Sequence, residues 1–301
     1  MPTAALRTAR LGRICPAMTV PVQTPDDRLA PAGVAARVSP PVPRRHDGIN
    51  WVGLQTLYLR EVRRFWKVGA QTVAAPVVTT LLYMLVFVVA VKGGRPPLDG
   101  TPFAEFVAPG LIVMAMLNNA FANSSSSLIQ AKIMGTSTDF LTPPLSPLEL
   151  TIGFSLGAAT RGIVVGLVTA ICVMPFARLG LHNLLAIVGF GMAASLMMGM
   201  AGVLAGLWAE KFDQLSAVQN FVVMPLTFLS GAFYLVENLP EPFATISHFN
   251  PFFYLIDGFR YGFIGHSEGN LMIGAVMSAG LIVVLGISNW LVFRSGWRLR
   301  S

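Results

Sequence analysis

Leu226-Thr-Phe-Leu-Ser-Gly-Ala-Phe-Tyr-Leu-Val-Glu-Asn-Leu-Pro240, nine mixed residues, and then Asn250-Pro-Phe-Phe-Tyr-Leu-Ile-Asp-Gly-Phe-Arg260 form the stretch on which the fold turns. Its first part is apolar enough to enter a bilayer. Leu239-Pro240 stops it, because proline lacks a backbone donor and steers the preceding residue away from helix. Around and beyond the break the chain stays aromatic yet carries Glu237, Glu241, His248, Asp257 and Arg260. That is too polar for a span facing lipid and too apolar for a solvated loop. Irregular backbone at membrane depth survives only against protein or a water-filled cavity, and transporter substrate paths are often built from discontinuous helices. A broken or re-entrant segment is predicted here.

The rest of the chain supplies the membrane context. Of 301 residues, 54% are hydrophobic and only 12% charged, against about 25% charged in soluble domains. Mean hydropathy is +0.64. The net charge of +7 does not indicate nucleic acid, because the basic residues flank apolar runs instead of forming one patch. Cys15 and Cys172 lie in unrelated contexts, and His46, His182, His248 and His266 make no i, i+4 pair, so neither a disulfide framework nor a metal site is implied.

Six spans are predicted near 70–91, 104–128, 149–175, 184–209, 215–236 and 270–293, each long enough for a hydrocarbon core of about 30 Å at about 1.5 Å per residue. Pro76 and Pro109 fall in first turns, where proline is least harmful. Pro225 should kink the fifth span. Ahead of the spans, residues 51–67 read as an amphipathic interfacial helix: Trp51, Leu54, Tyr58, Val62 and Phe65 share one face, with Arg60, Arg63, Arg64 and Lys67 opposite. Residues 1–48 are rich in Pro, Ala and Arg and read as a disordered extension, leaving 49–301 as one transmembrane domain. With the amino terminus inside, eleven cations fall on the inner side (Arg44, Arg45, Arg60, Arg63, Arg64, Lys67, Lys132, Lys211, Arg294, Arg298, Arg300) and four outside (Lys92, Arg95, Arg178, Arg260). That bias puts both termini in the cytoplasm.

Between spans two and three, residues 129–148 hold Phe140 and Leu141 amid prolines, and Ser137 or Thr138 could cap a short helix ending before Pro143. Gly153 and Gly157, Gly162 and Gly166, and Gly202 and Gly206 each form a Gly-x-x-x-Gly pair suited to close helix packing within the chain. Gly153-Phe-Ser155-Leu-Gly157 resembles a hydrolase elbow only in letters, since it lies inside one apolar helix with no histidine at similar depth on another span. Arg161 sits deep in a span, at a cost of about 2.5–3.5 kcal/mol on insertion scales. It is either an anchor on backbone carbonyls or the contact for an anionic group of a substrate. Asp257 at i−3 is a local partner for Arg260, and Glu237, Glu241 and Glu268 are expected to face outer water.

Leu226, Leu229-Ser230, Ala232, Leu239-Pro240, Pro251-Phe252, Tyr254 and Arg260 together resemble the signature of the type-2 ABC transporter permeases. Val223 departs mildly from it. The resemblance runs from Trp51 to Ser301 and is similar in particular to the YadH-like branch from Phe263 to the Arg298-Leu-Arg-Ser ending. It implies an all-α polytopic fold: six transmembrane helices, the interfacial helix, and a broken segment between helices five and six. It also implies the permease subunit of an exporter in the bacterial inner membrane, embedded in lipid and paired with a second copy. A separate cytoplasmic ATPase subunit would bind ATP and Mg²⁺. By the same resemblance Thr138, Asp139, Phe140, Leu141 and Pro143 form the ATPase-coupling loop, Phe140 and Leu141 being the inserting residues. Spans one, two and five line the path. Pro225, Ser230, Pro240, Pro251, Tyr254, Asp257 and Arg260 have structural roles, and the cargo is amphipathic: a lipid, glycan or drug-like molecule. Consistently, no Gly-x-x-x-x-Gly-Lys-Ser/Thr occurs, so this chain has no P-loop cradle for phosphates. The rival reading, a stand-alone channel or ion-coupled carrier, wants intramembrane acids that the predicted spans almost wholly lack. A membrane scaffold is the third class. Neither an enzyme nor a nucleic-acid binder is expected.

Overall fold

In the computed structural model the described residues are 48–91 and 101–298. The extension read over 1–48 therefore lies outside them except for Gly48, as do Arg44, Arg45, Lys92, Arg95 and Arg300 of the charge comparison. The described chain is helical: α1 Trp51–Lys67, α2 Gly69–Val91, α3 Phe103–Ile133, α4 Thr138–Leu141, α5 Pro147–Val173, α6 Leu184–Trp208, α7 Phe212–Val218, a π turn Gln219–Val223, α8 Met224–Phe228, a 3₁₀ turn Val236–Asn238, α9 Phe243–Phe249, α10 Pro251–Ile264 and α11 Leu271–Ser295. Among the described residues five helices, α2, α3, α5, α6 and α11, are long and apolar enough to cross a membrane. Their starts are set chemically. Asn50, Asn183, Asn250 and Asn270 accept from first-turn amides, and Ser146 with Glu149 closes a capping box ahead of α5 with Pro147 at its first position. Gly265 and Gly296 end α10 and α11 in the left-handed conformation that glycine adopts without strain.

Helix α3 is the axis. The hydrophobic part of its span is 78% buried, against 11% for α11, whose apolar side chains are mostly left uncovered by the chain itself. Around α3 pack α5, α6 and α10. The glycine pairs serve these contacts. A Cβ on Gly202 would lie 2.5 Å from the Phe121 carbonyl of α3, and one on Gly157 would lie 2.6 Å from Glu61 Cβ of α1. Packing thus joins helices of one chain, as the spacing suggested. One end of the bundle gathers α1, α4, the start of α5 and the end of α11 around Leu57, Phe140, Phe154 and Phe293. The other gathers the starts of α3 and α6 around α10 through Phe106, Phe252, Phe259 and Phe263. At the first end Lys132, in the last turn of α3, donates to the Leu207 and Ala209 carbonyls that close α6.

Several expectations need correction. The stretch predicted as a continuous span over 215–236 is helical only from Phe212 to Phe228, and residues 229–235 turn. Pro225 is accommodated by the π turn just before it. Met224 N–H bonds the Gln219 carbonyl five residues back, so the ladder slips where proline has no donor to give. Pro76 and Pro109 lie inside α2 and α3, not in their first turns. The face that α1 turns to the protein is Leu57, Glu61 and Phe65, while Trp51 is 69% exposed. Trp51 is thus on the surface, where a side chain dipping into the interface belongs, while Phe65 of the same predicted face is buried against the bundle.

Candidate functional site

A groove of about 260 Å³ runs between α2, α3 and the π turn. Helix α2 contributes Pro76, Thr79, Thr80 and Tyr83, and α3 contributes Leu111, Met114, Asn118 and Asn119. Gln219 and Met224 close it. The π turn has a consequence here: it sets Gln219 where its amide donates to Asn118 Oδ1 at 3.4 Å. Asn118 and Asn119 return their own amide hydrogens to the Met114 and Ala115 carbonyls one turn back. Asn119 Oδ1 is thereby left to accept from Arg161 Nη2 of α5 at 3.2 Å. The wall is apolar with uncharged amides and hydroxyls set into it, an arrangement suited to an amphipathic molecule.

A sequence model of the ABC-2 type transporter family matches residues 52–264. The chain belongs to the ABC-2 type transporter family. Among curated proteins, it is 34% identical over 254 residues to the inner membrane transport permease YadH of Escherichia coli strain K12, covering 84% of this chain and 99% of that one. It is 25% identical over 231 residues to nodulation protein J of Rhizobium leguminosarum bv. viciae, covering 74% and 86%. Similarity of 26% over 234 residues, covering 74% and 84%, links it to nodulation protein J of Sinorhizobium fredii strain NBRC 101917 / NGR234. It is a multi-pass membrane protein of the permease type, a transporter component.

At the α1 end, this ABC-2 type permease buries a charged network. Glu61 is completely buried and lies 3.3 Å from Arg60 and 3.5 Å from Arg64. It also accepts from the Ser127 hydroxyl of α3 at 2.8 Å. Arg64 donates to Asn123 Oδ1 at 3.2 Å and Ser126 Oγ at 3.3 Å. Burial lowers the Arg64 pKa, and Glu61 opposes that shift. Arg60 stacks over Phe140, 5.6 Å from its centroid. Arg63 and Lys67 remain exposed. The short helix predicted after Ser137 forms as α4, without a side-chain cap. Phe140, however, is 3% exposed and meets Phe154 edge-on at 5.5 Å. It is already inserted into its own chain, where the resemblance implied a side chain free to insert elsewhere. Leu141 is half-buried, while Thr138, Asp139 and Pro143 are exposed, as are Ile133 at 55% and Met134 at 64%.

At the opposite end the broken stretch is stitched together. Arg260 is buried, pairs with Glu268 at 3.0 Å, donates to the Gly231 carbonyl at 2.6 Å and stacks 3.8 Å over Phe106. Asp257 offsets the Arg260 charge electrostatically, without a hydrogen bond between the two side chains. The Asp257 oxygens accept from the Glu268 and Gly269 amides, both at 2.9 Å. Glu268 is consequently not a water-facing group: its side chain is 4% exposed, and burial raises its pKa against the pull of Arg260. Glu237 and Glu241 do face out. Ser230 donates to the Thr227 carbonyl, Asn250 to that of Leu226, and Ser247 to that of Leu229. Pro251 starts α10, Tyr254 packs beside Gly274, and Pro240 is an exposed turn residue whose carbonyl accepts from Phe243.

Sequence reasoning missed Glu61, Asn118, Asn119, Asn123, Ser127, Gln219 and the buried role of Glu268. A signal existed for some. Asn119, Asn123 and Ser127 recur every fourth residue inside an otherwise apolar span, which is the spacing of a single helix face.

Proposed function

We propose that this chain is the permease subunit of an ATP-binding cassette exporter of the bacterial inner membrane, moving an amphipathic cargo such as a lipid, a glycan or a drug-like molecule. The observation that carries this reading is the groove between α2, α3 and α8, apolar with inset amides. These are the helices that the family resemblance assigns to the path. The helical run 212–228, slipped at its π turn, makes the fifth of six crossings, and α9 and α10 dip back from the outer face. Both termini are cytoplasmic, by the cation bias. Two copies face one another across their grooves. ATP and Mg²⁺ bind a separate ATPase, which pushes on α1 and the 133–143 loop. With Phe140 committed to the internal core, Ile133, Met134, Thr138 and Asp139 form the docking face.

The test is reconstitution. The purified chain should recover a P-loop ATPase from its host at one per permease copy, and vesicles holding both should move fluorescent lipid only with ATP. Movement driven by a proton gradient without ATP would replace this reading with the ion-coupled carrier.

A further inference from the structure

Behind the groove Arg161 carries a guanidinium with no carboxylate of its own among the described residues to balance it. Arg161 is the fifteenth residue of the 27 in α5, midway along a span. One of its nitrogens donates to Asn119 Oδ1. Its Nε is buried without a partner, and among the described residues it has no ion pair. The charge of another cation, Arg64, bears on it. Arg64 shares Glu61 with Arg60, so that carboxylate is already met by two guanidiniums. No carboxylate is among the residues lining the groove.

A charge in a low-dielectric site must be balanced or it destabilises the fold. Within membranes, ionisable residues are rare and among their roles is marking substrate and ion paths. Asn119 lies between the cation and the groove: it lines the groove, and its Oδ1 accepts the hydrogen bond from Arg161. The amide therefore passes the positive field of the guanidinium into the cavity, where the apolar wall screens it little.

We propose that the groove selects a cargo whose polar head is anionic, with Arg161 as the specificity residue and Asn119 as the group that positions it. This rests on the groove being the cargo path, as proposed above. A cationic amphiphile meets the same field with the opposite sign and is rejected. Asn118, Gln219 and Thr79 then hold neutral acceptors and hydroxyls of the head.

The experiment compares two probes that share a tail, dodecyl phosphate and dodecyltrimethylammonium. Their binding to the purified permease in nanodiscs of neutral lipid is measured at low salt. The wild type is expected to hold the phosphate at least tenfold more tightly. Arg161→Lys keeps most of that preference and Arg161→Gln loses it. Should Arg161→Gln fold poorly, Asn119→Asp answers the same question, because it retains an acceptor for Arg161 and puts a carboxylate on the groove wall. It is expected to equalise the probes or reverse their order. Equal binding of the two probes to the wild type, or an unchanged preference in Asn119→Asp, overturns the proposal. Gln219→Trp, which fills the groove, separates the two levels of inference. If it abolishes binding of both probes while the wild type shows no preference, only the anionic head is wrong. If it leaves binding intact, the groove is not the path.

Discussion

Glu61 on α1 accepts a hydrogen bond from the Ser127 hydroxyl of α3 at 2.8 Å, and its carboxylate is completely buried. Helix α1 is thereby fastened to the central helix by a charge. Lipid could not hold a carboxylate there, so the fastening persists only while Arg60 and Arg64 remain beside it. Glu61→Ala leaves Arg64 half-buried without its counter-ion and should cost about 3 kcal/mol, the lower end for breaking a buried pair. Glu61→Gln keeps an acceptor for Ser127 and should cost less. Thermal unfolding in detergent ranks the two, and equal melting points would mean that the charge contributes nothing.

Arg260 makes a similar commitment at the other end. Its guanidinium uses two edges and one face at once: Glu268, the Gly231 carbonyl and the Phe106 ring. A lysine ammonium cannot satisfy all three. Arg260→Lys should lower the melting point markedly. Phe106→Leu, which removes only the stacked ring, should cost about 2 kcal/mol. If Arg260→Lys proves the milder of the two, the forked geometry is not what holds the broken stretch.

The fate of Phe140 changes a natural mutagenesis plan. A docking residue could become aspartate without loss of fold, but Phe140 is packed between Phe154 and the Arg60 guanidinium. Phe140→Asp is therefore expected to reduce membrane levels of the protein. Met134→Asp, at a side chain 64% exposed, should leave levels and melting unchanged while uncoupling ATP hydrolysis from transport. Normal transport by the Met134 variant would remove the 133–143 loop from the docking face.

What could be read in advance follows from which forces act locally. The boundaries of α1, α5, α6 and α11 are written in caps and apolar length, both local, and they match within two residues or so of the predicted spans. The fifth span was over-read because Leu229–Leu235 is as apolar as a helix, yet Gly231 takes a φ of +71° and the segment turns against Val236 and Phe253. That decision is tertiary. The same holds for Glu61 and Glu268. A carboxylate in an amphipathic helix or an outer loop looks solvated until Arg64 or Arg260 is known to stand over it. Phe140 stands out as an aromatic residue amid prolines, but hydrophobicity alone does not say whether the partner surface belongs to this chain or another.

Two glycines on neighbouring helices separate close packing from mere helix composition. At Gly157 a Cβ would meet Glu61 Cβ at 2.6 Å, and both atoms are fixed to helices that are themselves fixed, α5 by α3 and α1 by its buried ion pairs. Gly157→Ala must push α1 outward, which also lengthens the Ser127 contact. Gly189 on α6 has nothing within 4 Å of the same construction. Gly189→Ala gains the helix propensity that glycine forgoes, up to about 1 kcal/mol, with no opposing clash. The two substitutions are chemically identical, so propensity cancels between them and the difference in unfolding free energy reports the α1–α5 contact. Gly189→Ala is expected to melt at or slightly above the parent temperature and Gly157→Ala clearly below it. Should both variants shift equally, α1 rests on the bundle loosely enough to yield, and it cannot transmit a push from an ATPase through that contact.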